Sequence, residues 1–113
     1  MSKETKKAVR AAFRAAVFAR DGHRCRVCVW RTDPSKLDVH HISDRSTMAA
    51  GGYVAANGIA LCPDCHRLAE LHHNDPQSAP RVAPNYAPDV LYRLINSSHA
   101  RAVADSLRLG GSR

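Results

Sequence analysis

Between Lys3 and Arg20, the apolar residues Val9, Phe13, Ala16 and Val17 recur at three- and four-residue spacing, and basic residues fill much of the rest. That period predicts an amphipathic helix over residues 3–20, stopped by Asp21-Gly22. The rhythm then changes. From Leu37 to Ile42 the side chains alternate, Leu37, Val39 and His41 on one side and Asp38, His40 and Ile42 on the other, which predicts a short strand. Gly58 to Leu61 predicts a second strand, and residues 43–56 between them, with Gly51-Gly52, read as a long loop whose first half is too polar for the core. Pro63 suits the first position of a helix, with Asp64 beside it at the positive end of the dipole. This helix is expected to reach about His72, with Leu68 and Leu71 facing inward. Pro76, Pro80 and Pro84 make residues 74–87 read as an extended connector. Two further helices are expected over Pro88 to Ile95 and Ser98 to Leu109, the second capped by Ser97 or Ser98. The tail Gly110-Gly111-Ser112-Arg113 is expected to be mobile.

These elements divide the 113 residues into a basic N-terminal helix (1–20), a small α+β core (21–73), a Pro-rich connector (74–87) and a C-terminal helical extension (88–113). A core this short buries little apolar surface, so a metal staple would help to hold it. The four cysteines occur as two Cys-x-x-Cys pairs, Cys25/Cys28 and Cys62/Cys65. Two disulfides would use them equally well, in three connectivities. Charges at Lys3, Glu4, Lys6, Lys7, Arg10, Arg14 and Arg20 interrupt any apolar core of a secretory signal. Nothing approaches the roughly 18 apolar residues of a membrane span. The expectation is therefore a cytoplasmic chain without a membrane partner, in which thiolates ligate a metal.

The net charge of +7 is concentrated: residues 1–31 hold nine Lys/Arg against Glu4 and Asp21, and the rest carries eight of each sign. A basic segment of this kind is the footprint of a phosphate-bearing partner, although a solvated helix face looks the same from charge alone.

Four thiolates in this arrangement suit one closed, tetrahedral structural zinc. The histidines are left for a second task. His40 and His41 are adjacent on a strand and so leave it on opposite faces. They are poorly placed to share one ion and well placed for two roles. His66 follows the last cysteine at the start of a helix, and it meets His40 if the hairpin packs on that helix. Taken alone, His66 reads as well as a helix cap or as a substitute ligand in the sulfur site.

The set Cys25-x-x-Cys28, Val39-His40-His41-Ile42, Asn57 and Leu61-Cys62-x-x-Cys65-His66 resembles the HNH endonucleases in their zinc-containing ββα-metal (His-Me finger) form, over roughly residues 18–73. The resemblance implies a ββα-metal core with a structural zinc, flanked by helices. It further implies that His40 and His66 hold a catalytic divalent metal such as Mg²⁺, Mn²⁺, Ni²⁺ or Zn²⁺, that His41 is the general base, and that Asn57 braces the loop and orients that base. Many relatives have Asp at the position of His40, and an imidazole favours transition metals more than a carboxylate does. Some carry another His where this chain has Glu70, so Glu70 and His73 are candidates for an extra ligand. The implied products are 3′-hydroxyl and 5′-phosphate ends.

The implied partner is DNA, contacted by the backbone-facing candidates Lys6, Lys7, Arg10, Arg14 and Arg45; a homodimer or a larger phage or defence assembly is compatible with the sequence. Asp44 and Arg45 either contact substrate or brace the loop, and Trp30 and Tyr53 read as packing residues rather than base-stacking platforms. His72 and His73 read as solvent-facing residues at a helix end, and His23 and His99 carry no signal. Two other functional classes compete. One is a zinc-stabilised nucleic-acid-binding module in which the histidines are structural. The other is a zinc-dependent hydrolase or deaminase using the cysteines catalytically, disfavoured because Pro63 lies inside the Cys pair and no His-x-Glu occurs.

Overall fold

A computed structural model describes residues 2–28 and 33–111, so the reading of Trp30 as a packing residue lies outside the described residues. Helix α1 runs Lys3–Asp21. Ser2 caps it by accepting the Thr5 amide at 3.1 Å, and Gly22 closes it in the left-handed region at φ 67°. Phe13 and Val17 are buried as the periodicity predicted, but Ala16 is exposed. The apolar stripe is narrower than expected, because only a two-stranded sheet lies beneath the helix.

Strands β1 (Asp38–His41) and β2 (Gly58–Leu61) pair antiparallel, with Asp38 opposite Leu61 and His41 opposite Gly58. Every residue of β2 is buried because both faces of the hairpin are covered. On one side Phe13 and Val17 of α1 pack against Ala60. On the other lies the larger cluster, which includes Leu37, Ile42, Ile59, Leu61, Ala69, Leu91 and Ile95. Gly58 is required by this closeness, since a Cβ there would meet Phe13 and Val17 side-chain atoms at 2.7 Å.

The connection between the strands is not a plain loop. It folds into three short 3₁₀ turns over residues 45–47, 49–52 and 55–57, and Met48 is buried among them. Helix α2 runs Pro63–Asn74, with Cys65 and Ala69 as its buried positions; Leu68 and Leu71, expected to face inward, are half-buried.

The segment expected to be an extended connector is folded: α3 (Ala79–Val82) and a 3₁₀ turn at Pro84–Tyr86 occupy it. Pro80 and Pro84 lie in the first turns of these elements, where the missing amide costs no hydrogen bond, so they start helical turns instead of preventing them. Helices α4 (Pro88–Leu94) and α5 (His99–Gly111) follow, and the Ser98 hydroxyl accepts the Arg101 amide at 3.1 Å. Gly110 and Gly111, expected in a mobile tail, belong to α5; Ser112 and Arg113 lie outside the described residues. No helix among the described residues is long and apolar enough to cross a membrane.

One buried charge fastens α1 to the hairpin. The Asp21 carboxylate has no exposed side-chain surface. It accepts from Arg20 at 2.8 and 2.9 Å, from Arg26 at 2.9 Å and from the Ala60 amide at 2.9 Å. Arg20 also donates to the carbonyls of Ala55 and Gly58 at 2.7 and 2.6 Å. Two of the cations that looked available to an outside partner are thus consumed internally. Removing the carboxylate leaves two guanidinium groups and an amide short of their acceptor, and breaking such a buried pair costs about 3 kcal/mol or more. Asp21→Ala is expected to lower unfolding stability by about that amount, as measured by urea denaturation of the metal-loaded protein.

Candidate metal centre and active site

The two Cys-x-x-Cys pairs meet at the junction of β2 and α2. Cys25, Cys28, Cys62 and Cys65 place their sulfurs within 4.8 Å of one another, and all four are free thiols. Cys28 Sγ lies 3.7 Å from Cys62 Sγ and 3.2 Å from Cys65 Sγ. In each pair the second cysteine's amide faces the first sulfur, Cys28 N–H to Cys25 Sγ at 3.4 Å and Cys65 N–H to Cys62 Sγ at 3.5 Å. Burial works against ionising Cys25, yet the amides of Cys28, Cys62 and Val27 outweigh it and hold that thiol below its ordinary value. Burial pushes Cys65 strongly upward. Four converging sulfurs, with amides turned toward two of them, fit zinc.

A second cluster forms one strand away. His40 leaves β1 toward α2, is 1 % exposed, and sets Nδ1 3.2 Å from Glu70 Oε1. His66 Nε2 lies 3.0 Å from the same oxygen, so His40, His66 and Glu70 bring three ligand atoms within 4.8 Å of one another. The helix spacing supplies this: His66 and Glu70 are four residues apart on one face of α2. The other ring nitrogen of His66 faces Asp38 Oδ2 at 3.5 Å, an outer carboxylate of the kind that fixes the orientation of a ligating imidazole. The hydrogen bond from His40 holds the Glu70 carboxyl down at about 2, and burial lowers His40 itself. Glu70, a candidate for an extra ligand in the sequence, stands inside this trio.

His72 and His73 do not point to solvent as expected. His72 Nε2 donates to the Ala83 carbonyl at 2.7 Å, pinning the folded 79–86 segment to α2. His73 has 12 % of its side chain exposed; its ring lies 5.0 Å from that of His40, and its Nε2 is buried without a partner among the described residues. It stands beside the trio rather than in it.

His41 leaves the opposite face of β1, as the alternation predicted. Its ring stacks on Phe13 at 4.8 Å and meets Tyr53 edge-on at 4.7 Å. Burial, and then the positive charge of Arg45, lower its pKa to about 4, so the ring is neutral near pH 7. Its Nε2 is buried without a hydrogen-bond partner among the described residues. Asn57 is fully buried and ties the loop shut: its amide donates to the carbonyls of Ser43 and Gly52 at 3.1 and 3.2 Å, and its Oδ1 accepts the Ser43 amide at 2.9 Å. Ser43 is only two residues beyond His41, so this bracing reaches the histidine pair through the backbone.

The basic candidates separate. Lys6, Lys7 and Arg10 are exposed; Arg14 is held by Asp38 at 3.1 Å. Arg45 donates to the Tyr53 hydroxyl at 2.7 Å, so it braces the loop.

This geometry, a histidine-bearing hairpin with a helix carrying His66 directly after a sulfur cluster, agrees with the comparison to protein families. Residues 25–70 match the HNH endonuclease family. The match ends at Glu70, so α1 and all three helices after α2 lie outside it. No curated protein and no solved structure matches the chain.

Two contacts to the candidate site residues come from outside the segment matched by the family and carried no signal in the sequence. Tyr92 of α4 donates its hydroxyl to Asn57 Oδ1 at 2.7 Å and lies 2.7 Å from Ser43 Oγ, completing the Asn57 bracket. Tyr86, from the segment that read as a connector, donates its hydroxyl to Cys65 Sγ at 3.2 Å. Burial and the neighbouring thiol push this phenol upward, which keeps its proton available for donation. Loss of an outer partner of this type weakens metal affinity by roughly 10–100-fold. Tyr86→Phe is accordingly expected to surrender zinc to a chromogenic chelator about tenfold more readily than the parent, while its far-UV circular dichroism stays unchanged.

Proposed function

We propose that this chain is a metal-dependent DNA endonuclease or nickase that hydrolyses phosphodiester bonds with His41 as general base. The observation carrying this reading is the division of labour at one strand. His40 faces a three-donor cluster with His66 and Glu70, distinct from the sulfur cluster, and the adjacent His41 stands outside both clusters as a neutral imidazole. Family membership of residues 25–70 points to nuclease chemistry in general; the assignment of substrate and of individual residues is ours.

A phosphodiester resists attack because its anionic oxygens repel the nucleophile and the alkoxide leaves poorly. His41, uncharged at neutral pH, accepts a proton from the attacking water. His40, His66 and Glu70 are the residues that would hold a divalent cation, whose charge offsets that developing on the phosphate and on the departing oxygen. Asp38 fixes the His66 ring, and Asn57 holds residues 43 and 52 together so that the backbone after His41 is rigid. The four cysteines hold the start of α2, and hence His66, against the hairpin.

The competing reading, a zinc-stabilised nucleic-acid-binding module without catalysis, draws on one observation: the His41 ring is packed between Phe13 and Tyr53 with Nε2 buried. Plasmid nicking separates the two. The zinc-loaded protein is expected to relax supercoiled DNA when Mg²⁺ or Mn²⁺ is supplied and to lose that activity in excess EDTA. Loss of a general base costs about 10²-fold or more, so His41→Ala is expected to cleave at least that much more slowly. A His41→Ala protein that nicks at the parental rate would reject His41 as the base. A parent inert with every divalent metal tried would favour the binding module.

A further inference from the structure

Beyond the two ligand clusters, a cleft runs between α1 and the 49–52 turn. Lys6, Val9, Arg10, Ala50, Gly51 and Tyr53 line a volume of about 250 Å³. Lys6 and Arg10 are one helical turn apart on the same face of α1, with Val9 between them. Three features give the cleft a chemical character.

The first is its position. Tyr53 forms one wall, and the same ring lies 4.7 Å from His41, so the cleft adjoins the candidate general base through a single side chain. The second is its charge. The Arg10 guanidinium lies 5.4 Å from the centre of the Tyr53 ring, and Arg45 donates to the hydroxyl of that tyrosine at 2.7 Å. Several cations elsewhere are paired within the chain: Arg14 with Asp38, Arg20 and Arg26 with Asp21, Arg67 with Asp64, Arg93 with Asp89 and Arg101 with Asp105. Lys3, Lys7, Arg24, Lys36 and Arg81 are not paired among the described residues, but they do not line the cleft. Among the described residues, Lys6, Arg10 and Arg45 have no carboxylate partner of this kind. The third is the lining between the cations, where Val9, Ala50, Gly51 and the tyrosine ring offer carbon rather than hydrogen-bonding groups. An inorganic anion would gain nothing from that surface. A nucleotide strand, with charged phosphates joined by largely apolar sugar edges, fits both parts.

We infer that this cleft seats the DNA strand at the nucleotides flanking the scissile phosphate, with Lys6 and Arg10 against the backbone phosphates and Arg45 leading toward His41. This rests on the nuclease reading above and sharpens it. The contact surface is one cleft built from α1, outside the HNH segment, together with the inter-strand connection, and not the whole basic face of the helix. Arg14 has no part in it, being held by Asp38 at 3.1 Å.

The test is fluorescence anisotropy of a fluorescein-labelled DNA duplex titrated with zinc-loaded protein, without added divalent metal, at several salt concentrations. Each phosphate contact contributes about 0.9 to the slope of log affinity against log salt. The double variant Lys6→Ala/Arg10→Ala is therefore expected to lose at least about tenfold in affinity and about two in that slope. Val9→Trp, which fills the cleft without changing charge, is expected to weaken binding with little change in slope. Arg93→Ala, on the exposed face of α4, is expected to bind as the parent does.

Parental affinity and slope in the double variant, with Val9→Trp also binding normally, would overturn the cleft, while plasmid nicking by the parent would leave the nuclease reading standing. If Val9→Trp does not fold, judged by circular dichroism, the slope of the double variant alone decides. A parent that neither binds nor nicks DNA would overturn both.

Discussion

Everything in this small protein hangs on four sulfurs that belong to two distant parts of the chain. Cys25 and Cys28 follow α1, and Cys62 and Cys65 straddle the step from β2 into α2. Bringing these thiols within 4.8 Å of one another fixes the beginning of α2 against the hairpin. That in turn decides where His66 points, because it is the next residue after the last cysteine. A chain with two short strands and few aromatic residues has little other means of holding a helix start in place. The Tyr86 hydroxyl on Cys65 and the His72 ring on Ala83 extend the same constraint into the folded segment beyond α2. The sulfur cluster thereby organises residues that no family pattern covers.

A strand makes adjacent side chains diverge, and the candidate active site is built on that rule. His40 is buried against α2 beside a carboxylate and two further imidazoles; its neighbour packs on aromatic rings from α1 and the connection. The two surroundings call for different chemistry. On one face, an acid and two imidazoles converge as donors that could hold a cation. On the other, burial and Arg45 keep an imidazole neutral. Chain continuity holds the two a single peptide apart, so no mobile element is needed to bring the candidate acid-base group beside the candidate cation site. The cost falls on α1, whose Phe13 and Val17 must cover the hairpin closely enough that Gly58 tolerates no side chain.

Charge in this protein is sorted by the fold rather than by the sequence. The basic N-terminal third reads uniformly as a nucleic-acid footprint, yet Arg20 and Arg26 close on a buried aspartate and Arg14 on Asp38. Among the cations without such a partner, Lys6, Arg10 and Arg45 are gathered around Tyr53. A linear count of lysines and arginines cannot separate these groups, because an ion pair between Arg14 and Asp38 depends on how α1 crosses the strand.

The sequence by itself determined the elements with strong local signals and the residue types of the chemistry. The 3.6-residue stripe around Phe13 and Val17, the alternation through His40 and His41, Pro63 at a helix start and the paired cysteines are all short-range patterns, written within one turn or one strand. Only the tertiary structure decided the rest, because it consists of contacts between segments far apart in the chain. Glu70 joins His40 and His66 through the packing of α2 on the hairpin, and His73 turns inward for the same reason. Tyr92 reaches Asn57 across 35 positions and Tyr86 reaches Cys65 across 21. Prolines that punctuate a connector on paper begin helical turns once their carbonyl and packing partners are present, since Pro forbids an interior amide bond but not a first turn. Local propensity specifies which elements form; only the packing of α1, α2 and α4 around one hairpin specifies which side chains meet.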